Sequence, residues 1–178
     1  MSYALLSYRQ ATSTNGGVLT SATSDNQFQN GTINTKDCDD SSIAALASNQ
    51  ITLATGTYRV RAQVAFGYTP ALDGIHGKAV LWSVTSGTVK TNKGTTSKIV
   101  GTPVVASDLG GTANANMISH LMGRFEVTLP SEVFSIQMAG DAGATTWYNT
   151  NTAQGAPAAT ISSGSYQNVY KNIEILKE

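Results

Sequence analysis

Apolar and polar residues alternate with a period of two along much of the chain. The clearest case is Thr57 to Phe66, where Tyr58, Val60, Ala62, Val64 and Phe66 fall on one face and Arg59, Arg61 and Gln63 on the other. That pattern predicts a half-buried strand. A shorter strand, Gln50 to Leu53, precedes it, and Ala54-Thr55-Gly56 between the two predicts a hairpin. Lys78 to Val84 places Val80, Trp82 and Val84 on one face and Ala79, Leu81 and Ser83 on the other, before a turn at Ser86-Gly87. Thr95 to Val105 is rich in β-branched residues but is broken by Gly101 and Pro103, which predicts an edge or bulged strand. His120 to Leu129 alternates through Phe125, Val127 and Leu129. Pro130-Ser131 then predicts a turn into Glu132 to Met138, with Phe134, Ile136 and Met138 in step. In the last strand, Gln167 to Leu176, Val169, Ile173 and Ile175 share a face with Lys171. Tyr3 to Gln10 and Gln27 to Asn34 are predicted strands as well. Ser41 to Ala47 fits a single turn or a strand equally well.

Short strands, turn signals between them and almost no helix predict an all-β fold. The expected form is a single sandwich or jelly roll of about eight to ten antiparallel strands, occupying 1–178 as one domain. Two segments fall outside this scheme. Ala106 to Met117 reads as a loop, and Asp141 to Ser165 is a long run of Gly, Ala, Thr, Asn and Ser. Loops of that length inside a compact domain are usually functional or ordered by a partner, and a packed neighbour is the economical explanation.

Composition sharpens the picture. Lys plus Arg and Asp plus Glu both number 11, and only 12% of residues are charged, about half the usual share. Their place is taken by 23 Thr, 18 Ser, 12 Asn, 17 Gly and 21 Ala, which is strand-and-turn chemistry. Zero net charge without a Lys/Arg cluster argues against nucleic acid as a partner. No apolar run is long enough to cross a bilayer as a helix, and the opening MSYALLSYRQATST lacks the pattern of a signal peptide. The single cysteine, Cys38, excludes an internal disulfide and fits folding in a reducing cytoplasm. An uncharged surface favours association.

No catalytic set emerges from the residue types. His76 and His120 are the only imidazoles, no Ser lies in a G-x-S-x-G elbow, and no phosphate-binding glycine motif follows a strand. The expectation is a protein that is not an enzyme and needs no metal or cofactor. Asp37-Cys38-Asp39-Asp40 lacks the spacing of a calcium loop and reads as a solvated turn with Cys38 partly buried. Trp147 and Tyr148, flanked by Asn149 and Asn151, stand in the long polar segment. They suit either a packing and interface role or stacking on a sugar ring. Arg59, Arg61 and Arg124 project from alternating strands and are candidates for inter-subunit contacts with Glu126 or Glu132.

The stretches NQITLATGTYRVRAQVAF, HGKAVLWSVTSGT, SHLMGRFEVTLPSEVFSIQM and NVYKNIEILKE occur in that order, after the opening ALLSYRQATSTNGGVLTS. Together they resemble the small β-jelly-roll domains of tailed-bacteriophage virion proteins, found in tail-fibre tips, head fibres and capsid decoration proteins. The resemblance spans nearly the whole chain. It implies a jelly roll shaped like the trimeric tumour-necrosis-factor and complement heads, assembled as a homotrimer and used as a structural or adhesive part of a virion.

Two functions are compatible with that resemblance. One is a capsid decoration, or cement, protein on the capsid exterior, made in the bacterial host cytoplasm and partnered by the major capsid protein. A protein that binds only the assembled shell stabilises it by mass action. The other is a head-fibre or tail-fibre tip that recognises a host surface glycan through Trp147, Tyr148 and their neighbours. Because the first predicted strand starts within a few residues of Met1, with no shaft before it, decoration is the expected role.

Overall fold

The structure, a computed structural model, describes residues 2–11, 18–19, 28–68, 75–106, 116–140, 147–148 and 167–178. Twelve strands are found among them: β1 (Ser2–Ala11), β2 (Val18–Leu19), β3 (Gln29–Asn30), β4 (Thr35–Asp39), β5 (Ala44–Ala47) and β6 (Gln50–Tyr68), followed by β7 (Ile75–Ser83), β8 (Thr88–Val89), β9 (Val104–Ala106), β10 (Asn116–Gly140), β11 (Trp147–Tyr148) and β12 (Gln167–Lys177). All the pairings between them are antiparallel.

The ladder follows one path, β4-β1-β12-β6-β10-β7-β8, yet it forms two facing layers, because β6 and β10 each run through both. Phe125 and Phe134 show this directly. Nine residues of straight strand would separate them by about 30 Å, but their ring centroids are 5.2 Å apart, edge to face. The strand therefore turns a corner between them. On β10, Val127 pairs with Gly56 and Ser131 with Ala54, so four steps along β10 oppose two along β6. Such a bulge bends a ladder without ending it.

The first sheet is thus β4, β1, β12, the second half of β6 and the first half of β10. The second is β5, the first half of β6, the second half of β10, β7 and β8. This is an all-β, antiparallel jelly-roll sandwich. The two expected turns are corrected by it: Ala54-Thr55-Gly56 and Pro130-Ser131 are corners inside β6 and β10, not chain reversals. A hairpin at either place would have paired the two halves with each other, whereas β6 and β10 pair with each other on both sides of the corner.

The core lies between the sheets. Ala4, Leu6, Tyr58, Val60, Ala62, Val64, Leu121, Phe125, Ile173 and Ile175 face it from the first, and Ile51, Leu53, Ala79, Leu81, Phe134, Ile136 and Met138 from the second. Burial of this set is the main source of stability. Phe125 stacks on Tyr58 at 5.7 Å, and the Tyr58 hydroxyl donates to the Ala54 carbonyl at 2.8 Å, satisfying the polar end of a buried ring.

Chain segments close the two open sides of the sandwich. On one side, residues 90–103 run from β7 to β10: Lys90 N donates to Leu81 O, Gly101 N to Ala79 O and Thr102 N to His120 O. Ile99 fills the gap beneath, fully buried. The predicted Thr95 to Val105 strand is accordingly reduced to bridges at Lys98 and Val100 and to β9. On the other side, residues 28–34 cross from β10 to β1. The Ser41 to Ala47 segment, left open by its composition, contributes strand β5.

Asp37, Cys38 and Asp39 belong to strand β4, not to a turn. Cys38 is exposed, not partly buried, because the alternation along β4 turns it outward beside Leu5 while Asp37 and Asp39 are half-buried. Asp39 accepts from the amides of Ile43 and Ala44 and from the Lys36 ammonium. Burial pushes its carboxyl up, but those donors outweigh it and hold the group below its ordinary value.

Candidate assembly face

The outward face of the first sheet is built by the residues that alternate with the core set. Register places them in rows across four strands. Leu5, Glu174, Arg61 and Met122 lie side by side, then Tyr3, Leu176, Arg59 and Arg124, then Ser7, Asn172, Gln63 and His120. The result is an apolar and polar mixture with no chain segment over it among the described residues. Met122 is 65% exposed and Ile118 51%, the two most exposed large apolar side chains described. Between the rows runs an open groove of about 420 Å³ lined by Tyr3, Leu5, Arg61, His120, Met122 and Glu174, among others.

The second sheet differs. Its outward residues Val80, Ser135 and Gln137 are buried. Asn30 Oδ1 accepts from Ser135 Oγ at 3.1 Å and from Gln137 Nε2 at 2.9 Å, and Phe28 packs against Trp82 with centroids 6.2 Å apart. One face of the sandwich is thus covered by its own chain, and the other is open among the described residues.

The arginines singled out in the sequence all sit on the open face, although the residue that organises two of them was not anticipated. Arg59 and Arg124 are directly paired across β6 and β10, and like charges in that position repel. Glu178 resolves the conflict. Its amide donates to Thr57 O at 3.0 Å, and its carboxylate accepts from Arg59 Nε at 2.7 Å and from Arg124 Nη2 at 2.6 Å and Nε at 3.0 Å. Arg124 first, then Arg59, holds the Glu178 carboxyl down at about 2, and the same contact raises the Arg124 guanidinium.

Arg61 is less committed. Its only ion pair among the described residues is with Glu174 at 3.8 Å, and its side chain is 70% exposed. Glu126 faces Lys93 at 3.4 Å. Glu132 is not on this face: it is buried and bound to Lys90. The Tyr3 phenol is pushed up by burial first, then by Glu174, Cys38 and Asp37. His120 is exposed at the end of the groove. Among the described residues no group of three or more His, Cys, Asp and Glu is placed to hold a metal ion.

Trp147 and Tyr148 form β11, paired on one side with Leu19 and Val18 and on the other with Tyr68 and Gly67. Their backbone thus extends a ladder at the end of β6. Asn149 and Asn151 lie outside the described residues.

No protein-family model matches the chain, and no curated protein matches it either. Among solved structures it is similar to a crystal structure of murine APRIL at 10% identity, covering 99% of this chain and 98% of that one, with a TM-score of 0.48.

Proposed function

We propose that this chain is a bacteriophage virion structural protein, a capsid decoration protein that associates as a homotrimer through the open face of its first sheet and stabilises the assembled shell. The virion assignment rests on the ordered resemblance along the sequence. The open face carries the assembly part. It combines exposed Met122 and Ile118 with half-buried Tyr3, Leu5 and Leu176, a composition suited to the centre of a protein interface. It also carries both signs of charge, Arg59, Arg61 and Arg124 beside Glu174 and Glu178. With both signs on one surface, neighbouring copies can set opposite charges against each other around a ring, which favours further copies of this chain over a strongly charged partner.

Sedimentation of the intact protein tests the assembly. A species near three times 18.6 kDa, reduced to monomer by Met122→Asp or Arg61→Glu but not by Val84→Asp, is the expected result. A monomer at micromolar concentration overturns it. The decoration role is tested on purified particles. Particles lacking the protein should release their genome at lower temperature and regain stability on adding it back, and hundreds of copies per particle are expected. Unchanged particle stability, or a few dozen copies, favours the fibre-tip role instead.

A further inference from the structure

Each of the two segments that close the sandwich places a lysine against the core, Lys90 from within one and Lys171 beneath the other, and the two are treated differently. In 90–103, Lys90 Nζ lies 2.9 and 2.8 Å from the two oxygens of Glu132, and Ser83 Oγ donates to the same carboxylate at 2.6 Å. That cation is fully answered. In 28–34, Gly31 N donates to Ile136 O, Ile33 is buried, and Asn34 N donates to Ser7 O. The Asn34 side chain also brackets the Arg9 backbone, with its oxygen 2.9 Å from the amide and its nitrogen 2.7 Å from the carbonyl.

Beneath the middle of this strap lies Lys171, 1% exposed. Its Nζ donates to Thr32 O at 3.3 Å and stands 5.5 Å from the centre of the Tyr8 ring. The strap presses on the amine so closely that a Cβ placed on Gly31 would overlap Nζ and lie 2.9 Å from the Ile136 carbonyl. An ammonium has three N–H donors. One long hydrogen bond and one aromatic face serve it less well than water does.

We infer that closure of the 28–34 strap is coupled to loss of a proton from Lys171, so that the strap seats best over the neutral amine and proton uptake favours an opened form in which the ammonium reaches water. The surroundings support this. Tyr8, directly across from Lys171 on β1, is the titratable group that faces it among the described residues. β6 offers Val64, β10 the Ile136 backbone, and the strap Gly31 and Thr32. Arg9, next along β1, is turned to Asp37 at 2.5 Å.

Burial lowers the Lys171 amine from 10.5 to about 7 in the closed form, whereas an opened, hydrated lysine titrates near its ordinary value. The closed form therefore binds the proton less tightly. Closure strengthens by up to tenfold per pH unit as pH rises from about 7 toward 10.5, and is insensitive to this group below about 7.

Hydrogen exchange at the Gly31 and Asn34 amides, with the intrinsic pH dependence divided out, tests the coupling on the intact protein. Protection at these amides should be flat from pH 6 to 7 and then rise, approaching tenfold per unit by pH 9. The Gly101 and Thr102 amides of the opposite strap should show no such rise, and Lys171→Met should abolish it at Gly31 and Asn34. Flat protection in the wild type, or the same slope in both straps or in the variant, overturns the inference. If Lys171→Met does not fold, NMR titration of the wild-type Lys171 side chain decides. A midpoint near 7 supports the coupling, and one near 10.5 overturns it.

Discussion

Glu178 bridges two arginines that the sheet forces together, with its carboxylate 2.6 Å from Arg124 Nη2 and 2.7 Å from Arg59 Nε. The pairing has a defined pH signature. The folded-state carboxyl sits at about 2, below its ordinary 4.5, so its contribution to stability is complete above about 4.5 and disappears as pH falls toward 2. Glu178→Gln should lose less stability than the wild type across that window. Melting temperatures of the two proteins from pH 6 to pH 2 check this. At pH 7 the difference should be small, because the pair is exposed to solvent and screened by it.

Gly123 and Ile99 make a close approach between a strand and the strap that covers it. A Cβ on Gly123 would lie 2.6 Å from both Cδ1 and Cγ1 of Ile99, which is fully buried and cannot swing into solvent. Gly123→Ala should cost about 1–3 kcal/mol by overpacking. Ile99→Val removes the Cδ1 methyl and should recover part of that loss when combined with it. A double-mutant cycle from chemical denaturation measures the coupling, and additive effects would show that the two residues do not compete for this space. Gly87, where an added Cβ meets nothing within 4 Å, marks the contrast.

Much of this architecture was legible in the alternation. The core positions Tyr58, Val60, Ala62 and Val64, and Phe134, Ile136 and Met138, are buried as their spacing predicts. The two corners were not legible. In β6 the core set changes from odd positions, Ile51 and Leu53, to even ones from Tyr58 onward; in β10 it changes from Phe125 and Val127 to Phe134 and Ile136. A hairpin and a corner both reset the phase in this way. Only the pairing of β6 with β10 on both sides of the break tells them apart, and pairing is a long-range property.

The site divides along the same line. Outward projection of Arg59, Arg61 and Arg124 follows from period two, and the structure places all three on one face. Glu178 was invisible as their partner because only the antiparallel registers of β12 and β10 against β6 bring it to Arg59 and Arg124. Glu132 shows the reverse error. Its charge suggested surface, but it sits in phase with Phe134 and Ile136 on the core side, and Lys90 reaches over from the strap to meet it.

That buried pair yields the strongest stability prediction. Glu132 and Lys90 retain only 5% and 19% side-chain exposure, and the ammonium also lies over the Phe134 ring at 5.5 Å and the Phe125 ring at 6.0 Å. Removing one partner strands a charge in a dry site. Lys90→Met should therefore destabilise the protein by about 3–5 kcal/mol. Replacing both groups removes the stranded charge, so Lys90→Met combined with Glu132→Leu should be much closer to wild type than the single variant, despite an extra apolar change. The Ser83 hydroxyl, which donates to Glu132 at 2.6 Å, would lose its acceptor in the double variant and keep part of the loss in place. Urea denaturation of the three proteins measures the difference. A double variant as unstable as Lys90→Met alone would mean that the pair's geometry, not the stranded charge, sets the cost.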